Sequence, residues 1–399
     1  MRIENIKIQN YRCLENIEIS NIPPLSIIVG ANGSGKTTLF NVFGFLKDCL
    51  TYNVTKALQA RGGYEEVISR GKKNNKEKSN IVIELQYRME ITGKERLVTY
   101  HLEIGLVNNK PCVKREILRY KRGAYGSPFH FLDFEQGKGT AVINEEDFSK
   151  KDEDLTREYQ ELEPDILAIK GLGQFQRFKA ANALRQLIEG WHISDFHINQ
   201  ARGSKDEAGF ADHLSITGDN LPLVARNIYD NHPEVFKKIL DAMKKRIPGI
   251  GEITPERTLD GRLLLKFKDK SFQDPFIDRY VSDGTIKMFA YLVLLYDPQP
   301  FPLLCIEEPE NQLYPALLRE LLEEFRDYAH RGGQVFVSTH SPDLLNAASI
   351  EEVFWLEKKD GYTYIHRASD DEQIRRYVEA GDPLGYLWKE GFFKGADPQ

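Results

Sequence analysis

Residues 30 to 38 read GANGSGKTT, between the apolar run LSIIV at 25 to 29 and LFNVFGFLKDCL at 39 to 50. The stretch fits G-x-x-x-x-G-K-[ST] at Gly30, Gly35, Lys36 and Thr37, with a buried strand before it and a helix after it. Its glycines let the backbone curl, so that successive N–H groups from Asn32 and Gly33 through Ser34 and Gly35 to Thr38 face phosphate oxygens at a helix N-terminus. Lys36 supplies positive charge to those phosphates, and the Thr37 hydroxyl is a ligand for Mg²⁺. Leu39, Val42, Phe43, Leu46 and Leu50 recur at helical spacing, which gives the loop the helix it needs. The segment therefore predicts an α/β fold with a parallel sheet core that binds ATP and Mg²⁺.

The rest of the composition bounds this reading. A chain of 399 residues, 41% apolar, is long enough for a substantial core. With 54 basic against 60 acidic residues the formal net charge is −6, so nucleic acid could be held only by local patches. Cys13, Cys49, Cys112 and Cys305 are scattered without C-x-x-C spacing, which argues for reduced thiols and against a zinc or disulfide framework. No charged-then-apolar leader precedes MRIENIKI and no apolar run approaches 18 residues. The expectation is a cytoplasmic protein without membrane association.

Along the chain, Ile3, Ile6, Ile8, Leu14, Ile17 and Ile19 alternate with polar residues and predict a hairpin ahead of the phosphate loop. IVIELQYRMEI, RLVTYHLEIGLV and VKREILRY, within 81 to 120, predict an antiparallel β-lobe. SRGKKNNKEKSN before them lacks apolar periodicity and reads as an exposed loop. Residues 135 to 175 are polar and give no clear assignment. Helices are expected in RFKAANALRQLIEGW and in HPEVFKKILDAMKKRI at 232 to 247, and a strand in DGRLLLKFKD. No repeat and no sustained heptad pattern is present.

From 281 onward the signals are dense. VSDGTIKMFAYLVLLY is a polar turn followed by a helix apolar on most faces, and FPLLCIEEPENQLYP ends the strand Leu303 to Ile306 on Glu307 and Glu308. A helix carrying Leu317, Leu318, Leu321, Leu322 and Phe325 leads to the strand QVFVSTH, which ends on His340. Strand, helix, strand implies a parallel crossover, with the carboxylates and the histidine at the carboxyl ends of strands, where α/β sheets bind ligands. Paired glutamates after a strand can equally open a solvated helix. Beside a phosphate loop they are better read as a metal and water site, Glu307 ordering the metal shell and Glu308 polarising the attacking water. His340, with Ser338, Thr339 and Ser341 around it, then reads as a sensor of the terminal phosphate. VFWLEKKDGYTYIH predicts a hairpin turning at Asp360-Gly361.

GANGSGKTT, VSDGT, LLCIEEPENQLYP and VSTHSPDLL, in that order, resemble the Walker A, signature, Walker B with D-loop, and switch-histidine motifs of ABC-type ATPases. The S-D-G-T, E-E-P-E and T-H-S-P wording is similar to the branch containing RecF, the SMC proteins and OLD-type ATPases, and so is the aromatic-Arg pair in NYRCL. The resemblance implies a homodimer in which two heads sandwich two nucleotides. Ser282 and Gly284 of one copy would then face the nucleotide of the other, with Glu310 and Asn311 in the D-loop at the interface. Two departures stand out: Glu307 replaces the usual Walker B aspartate, and the signature lacks its second glycine. Gln174 or Gln176 is the candidate for the Q-loop glutamine.

The 246 positions from Lys36 to Ser282 imply a large insertion, and without heptads it should be compact, as in RecF, and not the coiled coil of SMC proteins. The expected organisation is a single head over 1–399: 1–50 with the first strands and Walker A, 51–280 as β-lobe and helical insertion, 281–367 with the remaining motifs, and 368–399 as a helical tail. The resemblance implies ATP hydrolysis controlling DNA binding or a separately encoded nuclease or other effector, in DNA repair or in defence against phage or plasmids. A nucleotide-gated scaffold with little turnover is the alternative, and a transporter subunit a further one. Arg70, Lys72, Lys73, Lys76 and Lys78, or Lys237, Lys238, Lys244, Lys245 and Arg246, could contact DNA phosphates, although such charge runs also serve as solvated faces. A capped helix is expected at Ser369 to Val378, with too little chain after His340 for an attached nuclease. The tail GYLWKEGFFKG, with Tyr386, Leu387, Trp388, Phe392 and Phe393, should pack back on the core, or else offer a docking surface for an effector.

Overall fold

In the computed structural model, residues 2 to 70, 80 to 91, 93 to 123, 127 to 194, 196, 201, 211 to 259, 261 to 272 and 274 to 396 are described, with the side chain of 279 excepted. The phosphate-loop strand Leu25–Gly30 lies inside a six-stranded sheet. On one side of it run Gln334–Thr339, Leu303–Glu307 and Trp191–Ser194, and on the other Val353–Lys359 and Tyr362–Arg367. All pairings are parallel except the last, the hairpin predicted around Asp360-Gly361. Parallel strands buried on both faces must send alternate side chains into different cores. Leu25, Ile27 and Val29 join the core made by the helices Leu221–Asn231, Pro233–Arg246, Asp283–Leu295 and Pro315–His330, while Ile28 joins the core under the β-lobe.

The first helix, Lys36–Thr51, buries Leu39, Phe40, Val42, Phe43, Phe45, Leu46, Cys49 and Leu50, a wider face than its five predicted positions. Phe43 sits against Trp191 and Phe336, with ring centroids 5.5 and 5.3 Å away, and so ties this helix to two strands of the parallel sheet. Tyr11, of the aromatic-Arg pair, is fully buried and donates its hydroxyl to Asn41 Oδ1 at 2.7 Å. The N-terminal hairpin is thereby anchored to the same helix.

The β-lobe is larger than the sequence predicts. The hairpin Arg2–Tyr11 and Leu14–Ile19 is joined by Ile81–Ile91, Lys94–Val107 and Lys110–Tyr120, and the sheet continues through Phe129–Glu135, Lys138–Val142 and Arg157–Glu161 to eight strands. The last two fall within the polar stretch from 135 to 175 that periodicity leaves unassigned. Two buried carboxylates connect this sheet to its helices. Glu116 accepts from the backbone N–H groups of Ala168 and Ile169 at 2.5 and 2.9 Å and from the Tyr100 hydroxyl at 3.1 Å. Glu145 accepts from the Tyr120 hydroxyl at 2.8 Å and from Ala180 N–H at 3.3 Å. Each therefore satisfies open N–H groups at a helix start, Ala168–Leu172 or Lys179–Glu189.

A three-stranded sheet, Ile250–Arg257, Leu263–Asp269 and Phe276–Ile277, completes the insertion. The C-terminal helix begins later than expected. It spans Glu372–Glu379, because Asp371 rather than Ser369 caps it, accepting from Gln373 and Ile374 N–H, and residues Ala368–Asp370 form a 3₁₀ turn. The aromatic tail packs back on the core: Leu387, Trp388 and Phe393 are buried, while Tyr386 stays exposed. Among the described residues no helix is long and apolar enough to cross a membrane.

Candidate functional site

Gly35 ends the phosphate loop at φ 111°, ψ 11°, and no side chain caps the helix that follows. The N–H groups of the first turn are consequently free of side-chain competition. Neighbours fix the loop from behind. Thr363 donates its hydroxyl to the Ser34 carbonyl at 2.7 Å, and a Cβ on Gly30 would sit 2.5 Å from Ser34 Oγ. Ser34, Gly35 and Lys36 are buried, Thr38 is half-buried, and Asn32, Gly33 and Thr37 are exposed at the mouth.

Lys36 Nζ donates to the carbonyls of Gly30 and Ala31 at 2.7 and 3.1 Å. Burial draws its ammonium down to about 8, with Glu308, Glu310 and Glu307 opposing the shift. Thr37 Oγ1 donates to Glu307 Oε2 at 2.7 Å, which joins positions 270 apart in the chain. One residue further along, Glu308 has a left-handed backbone at φ 44° and receives Asn311 Nδ2 on Oε2 at 2.9 Å. Its other oxygen, Oε1, is 3.3 Å from His340 Nε2. Burial lowers the histidine's basicity, Lys36 lowers it further, and Glu308 opposes both. The register explains the meeting: Glu307 pairs with Ser338 and Thr339 with Val29, so all three strands end at one edge.

Phosphate and magnesium fit these residues. The buried Ser34 Oγ has no described partner, and a loop of successive N–H groups running into a helix start, with Lys36 beside it, suits an anion. Among the described residues no group of three or more His, Cys, Asp and Glu side chains could hold a metal ion. A cation here would rest on Thr37 and Glu307 with phosphate and water completing its shell, which is how Mg²⁺ is commonly held beside a nucleotide.

Other expected residues lie elsewhere. Ser282 caps the helix Asp283–Leu295: its Oγ accepts from Thr285 N–H at 3.3 Å and shares a hydrogen bond with Thr285 Oγ1 at 2.8 Å. A Cβ on Gly284 would come within 2.9 Å of the Gln312 carbonyl, so the signature packs on the turn after Glu308 and not on its own phosphate loop. Glu310 accepts from Thr339 Oγ1 and His340 N–H of its own chain. Gln174 and Gln176 are exposed on the turn between two helices of the β-lobe side, and Gln174 Nε2 donates back to the Lys170 carbonyl at 3.4 Å. The strand that reaches the carboxylate edge is the later Trp191–Ser194, where Ser194 pairs with Ile306. The sequence reading missed this strand, although Trp191-His-Ile-Ser after Gly190 is a β-rich run closing a helix.

Of the basic candidates, Lys72, Lys73, Lys76 and Lys78 lie outside the described residues, and Arg70 pairs with Glu66 at 2.7 Å. Lys237, Lys238, Lys244 and Lys245 are exposed. Arg246 is not available to a phosphate, because its guanidinium is bound to buried Glu324 at 2.5 Å.

The chain matches two family models, one described as "AAA ATPase domain" over residues 1–223 and one as "AAA domain, putative AbiEii toxin, Type IV TA system" over 143–346. It belongs to the AAA ATPase domain family. Within it, this is an ABC-type ATPase head of the RecF/SMC-like branch. It is 22% identical over 375 residues to the DNA replication and repair protein RecF of Lactobacillus gasseri, covering 85% of this chain and 92% of that one. A shorter match, 35% identical over 54 residues, is to RecF of Saccharophagus degradans and spans 15% of that protein. Among solved structures, an SMC head bound to the C-terminal winged-helix domain of ScpA aligns with TM-score 0.54 at 13% identity, over 92% of this chain and 97% of that one. The Pyrococcus furiosus SMC head with an extended coiled coil and the ScpA C-terminal domain aligns with TM-score 0.50 at 15% identity, over 94% and 99%. These likenesses establish the head fold.

Proposed function

We propose that this AAA ATPase head hydrolyses ATP slowly as a homodimer and uses the opening and closing of the pair to govern access to DNA or the activity of a partner effector. The observation that carries the reading is the Thr37–Glu307 hydrogen bond beside the Glu308–His340 pair, which brings a phosphate loop, a metal-binding couple and a base together. Bound magnesium and triphosphate would supply the electrophilic phosphorus and the charge that the loop neutralises. Thr37 and Glu307 would hold the metal, while Lys36 exchanges its two carbonyl partners for phosphate oxygens. Glu308 would take the proton from the attacking water, with its second oxygen restrained by Asn311. His340 would face the terminal phosphate.

Ser282 and Gly284 lie against the turn after Glu308, and this placement supports their acting on a second copy's nucleotide. The RecF relatives, described as DNA replication and repair proteins, and the family model naming a type IV toxin–antitoxin system support a cytoplasmic role in repair or in defence against phage or plasmids. The effector would be a separately encoded nuclease or another protein. Glu307 in place of an aspartate favours a second reading, a nucleotide-gated scaffold with little turnover.

Light scattering of Glu308→Gln with saturating ATP and Mg²⁺ tests the dimer. The expected result is a mass of two chains with ATP and of one chain without it, and one chain under both conditions overturns the sandwich. Steady-state hydrolysis separates the two readings: the wild type exceeds Glu308→Gln if it is an ATPase and equals it if it is a scaffold.

A further inference from the structure

The two edges of the eight-stranded sheet are finished differently. At one end, Leu14–Ile19 has the hairpin strand Tyr362–Arg367 beside it: Thr363 N–H donates to the Cys13 carbonyl at 2.9 Å, and Arg367 donates to the carbonyls of Ser20 and Asn21, each at 2.7 Å. At the other end, Arg157–Glu161 pairs on one side only, with Lys138–Val142. Leu162 N–H donates to the Gly137 carbonyl and Ile143 N–H to the Thr156 carbonyl. By the alternation of an antiparallel ladder, Glu158 and Gln160 then bond to Lys138–Val142, and the N–H and C=O groups of Arg157, Tyr159 and Glu161 point away from the sheet. Among the described residues these outward groups have no hydrogen-bond partner.

Proteins usually blunt such an edge with proline, lysine, a bulge or a covering loop. The strand REYQE holds neither proline nor lysine, and its register with Lys138–Val142 runs without a shift. When it lies antiparallel to a second copy of itself about Tyr159, each residue meets a complement. Arg157 faces Glu161 of the second copy, Glu158 faces Gln160, and Tyr159 faces Tyr159. A slip of two residues in one direction sets Glu158 opposite itself, and in the other carries Arg157 past the end of the second strand. Opposite charges and paired aromatics across a ladder stabilise it, whereas like charges directly opposite destabilise it. Within one chain Arg157 lies over the Phe129 ring, 4.8 Å from its centroid, with no carboxylate partner among the described residues, and Tyr159 is 57% exposed.

We propose that two copies of this chain pair antiparallel along Arg157–Glu161, with Tyr159 on the two-fold axis, joining their eight-stranded sheets into one. The strand carries none of the nucleotide-site residues, so the contact needs no ATP and is separate from the sandwich. A strip of five residues buries far less than the roughly 1,200 Å² of a stable interface, so the dilute, nucleotide-free chain stays single. Where ATP already joins copies in pairs, each pair presents two such strands, and the edge links pairs to one another by multivalency.

Oxidative crosslinking of the full, nucleotide-free chain at high concentration tests the contact, with circular dichroism confirming that each variant folds. Opposed Cα atoms in a hydrogen-bonded antiparallel pair are about 5.5 Å apart, within the span of a disulfide. Tyr159→Cys treated with copper phenanthroline should therefore give a two-chain species, and peptide mapping should place the bond between the two substituted positions. Arg157→Cys and Glu161→Cys should each crosslink at least about tenfold more slowly alone, because like positions stand roughly 13 Å apart in this register. Mixed in equal amounts, they should crosslink to each other. In the Tyr159→Cys background, Arg157→Glu or Glu161→Arg should slow the reaction at least about threefold by setting like charges opposite, and mixing the two variants should restore it. A Tyr159→Cys chain that stays single, an Arg157→Cys chain that crosslinks as fast, or a mixture that shows no rescue overturns the pairing. Should a charge variant misfold, the cysteine series decides alone.

Discussion

Gly35 shows how narrowly the site depends on single atoms. Its φ of 111° lies outside the range open to residues with a Cβ, and a Cβ built there would stand 2.5 Å from Thr363 Oγ1. Both effects oppose Gly35→Ala, and they can be separated. Truncating Thr363 removes the close contact but not the backbone strain, which costs on the order of 1 to 3 kcal/mol by itself. The expectation is that Gly35→Ala abolishes binding of a fluorescent ATP analogue and that Gly35→Ala with Thr363→Ala stays at least about tenfold weaker than wild type. Full recovery in the double variant would mean that the contact alone, and not the left-handed turn, shapes the loop.

At the level of elements, the β-lobe is joined to its helices by buried carboxylates as well as by the apolar core they share. Burial pushes Glu116 up to about 7, opposed by the N–H groups of Ile169 and Ala168 and by the Tyr100 hydroxyl. Glu145 is also pushed up to about 7, opposed by the Tyr120 hydroxyl and Ala180 N–H. A carboxyl raised in the folded state binds more protons there than when unfolded, so its stabilising contribution is full below about 4.5 and is lost as pH rises through about 7. Urea midpoints taken from pH 5 to pH 8 should therefore fall with pH, and Glu116→Gln should flatten the decline. A decline as steep in the variant as in the wild type would show that other groups set it.

These same residues explain what the sequence hid. The parallel sheet was legible because its strands are apolar on both faces and end on the residues that carry chemistry, Gly30, Glu307 and Thr339. Glu116 and Glu145 are polar letters in buried positions, and a reading by hydrophobic period counts them as surface. Arg157–Glu161 is an edge strand with no fully buried residue, so it has no apolar alternation to detect. Ile250–Arg257 carries an irregularity between Ile250 and Glu252 that breaks the period of two. The helix Leu221–Asn231 did leave a signal, a proline near its first turn at Pro222.

At the scale of the whole molecule, the site is held between two cores that meet at the parallel sheet. The C-terminal tail belongs to one of them. Trp388 is fully buried and donates Nε1–H to the Ala396 carbonyl at 2.6 Å, while Phe393 packs edge-on against Trp355 at 5.4 Å. Gly385 N–H donates to Asn346 Oδ1 at 2.8 Å, on the short helix Pro342–Asn346 that begins two residues after His340. The tail thus reaches His340 through one helix, and its packing is continuous with the sheet. Trp388→Ala removes one of the largest buried side chains and should cost about 3 to 5 kcal/mol. If tail and sheet unfold as one unit, calorimetry will show the main transition itself moved down by several degrees. A main transition left in place, with a small early one added, would mean that the tail melts alone and that the hold on Pro342–Asn346 does not depend on it.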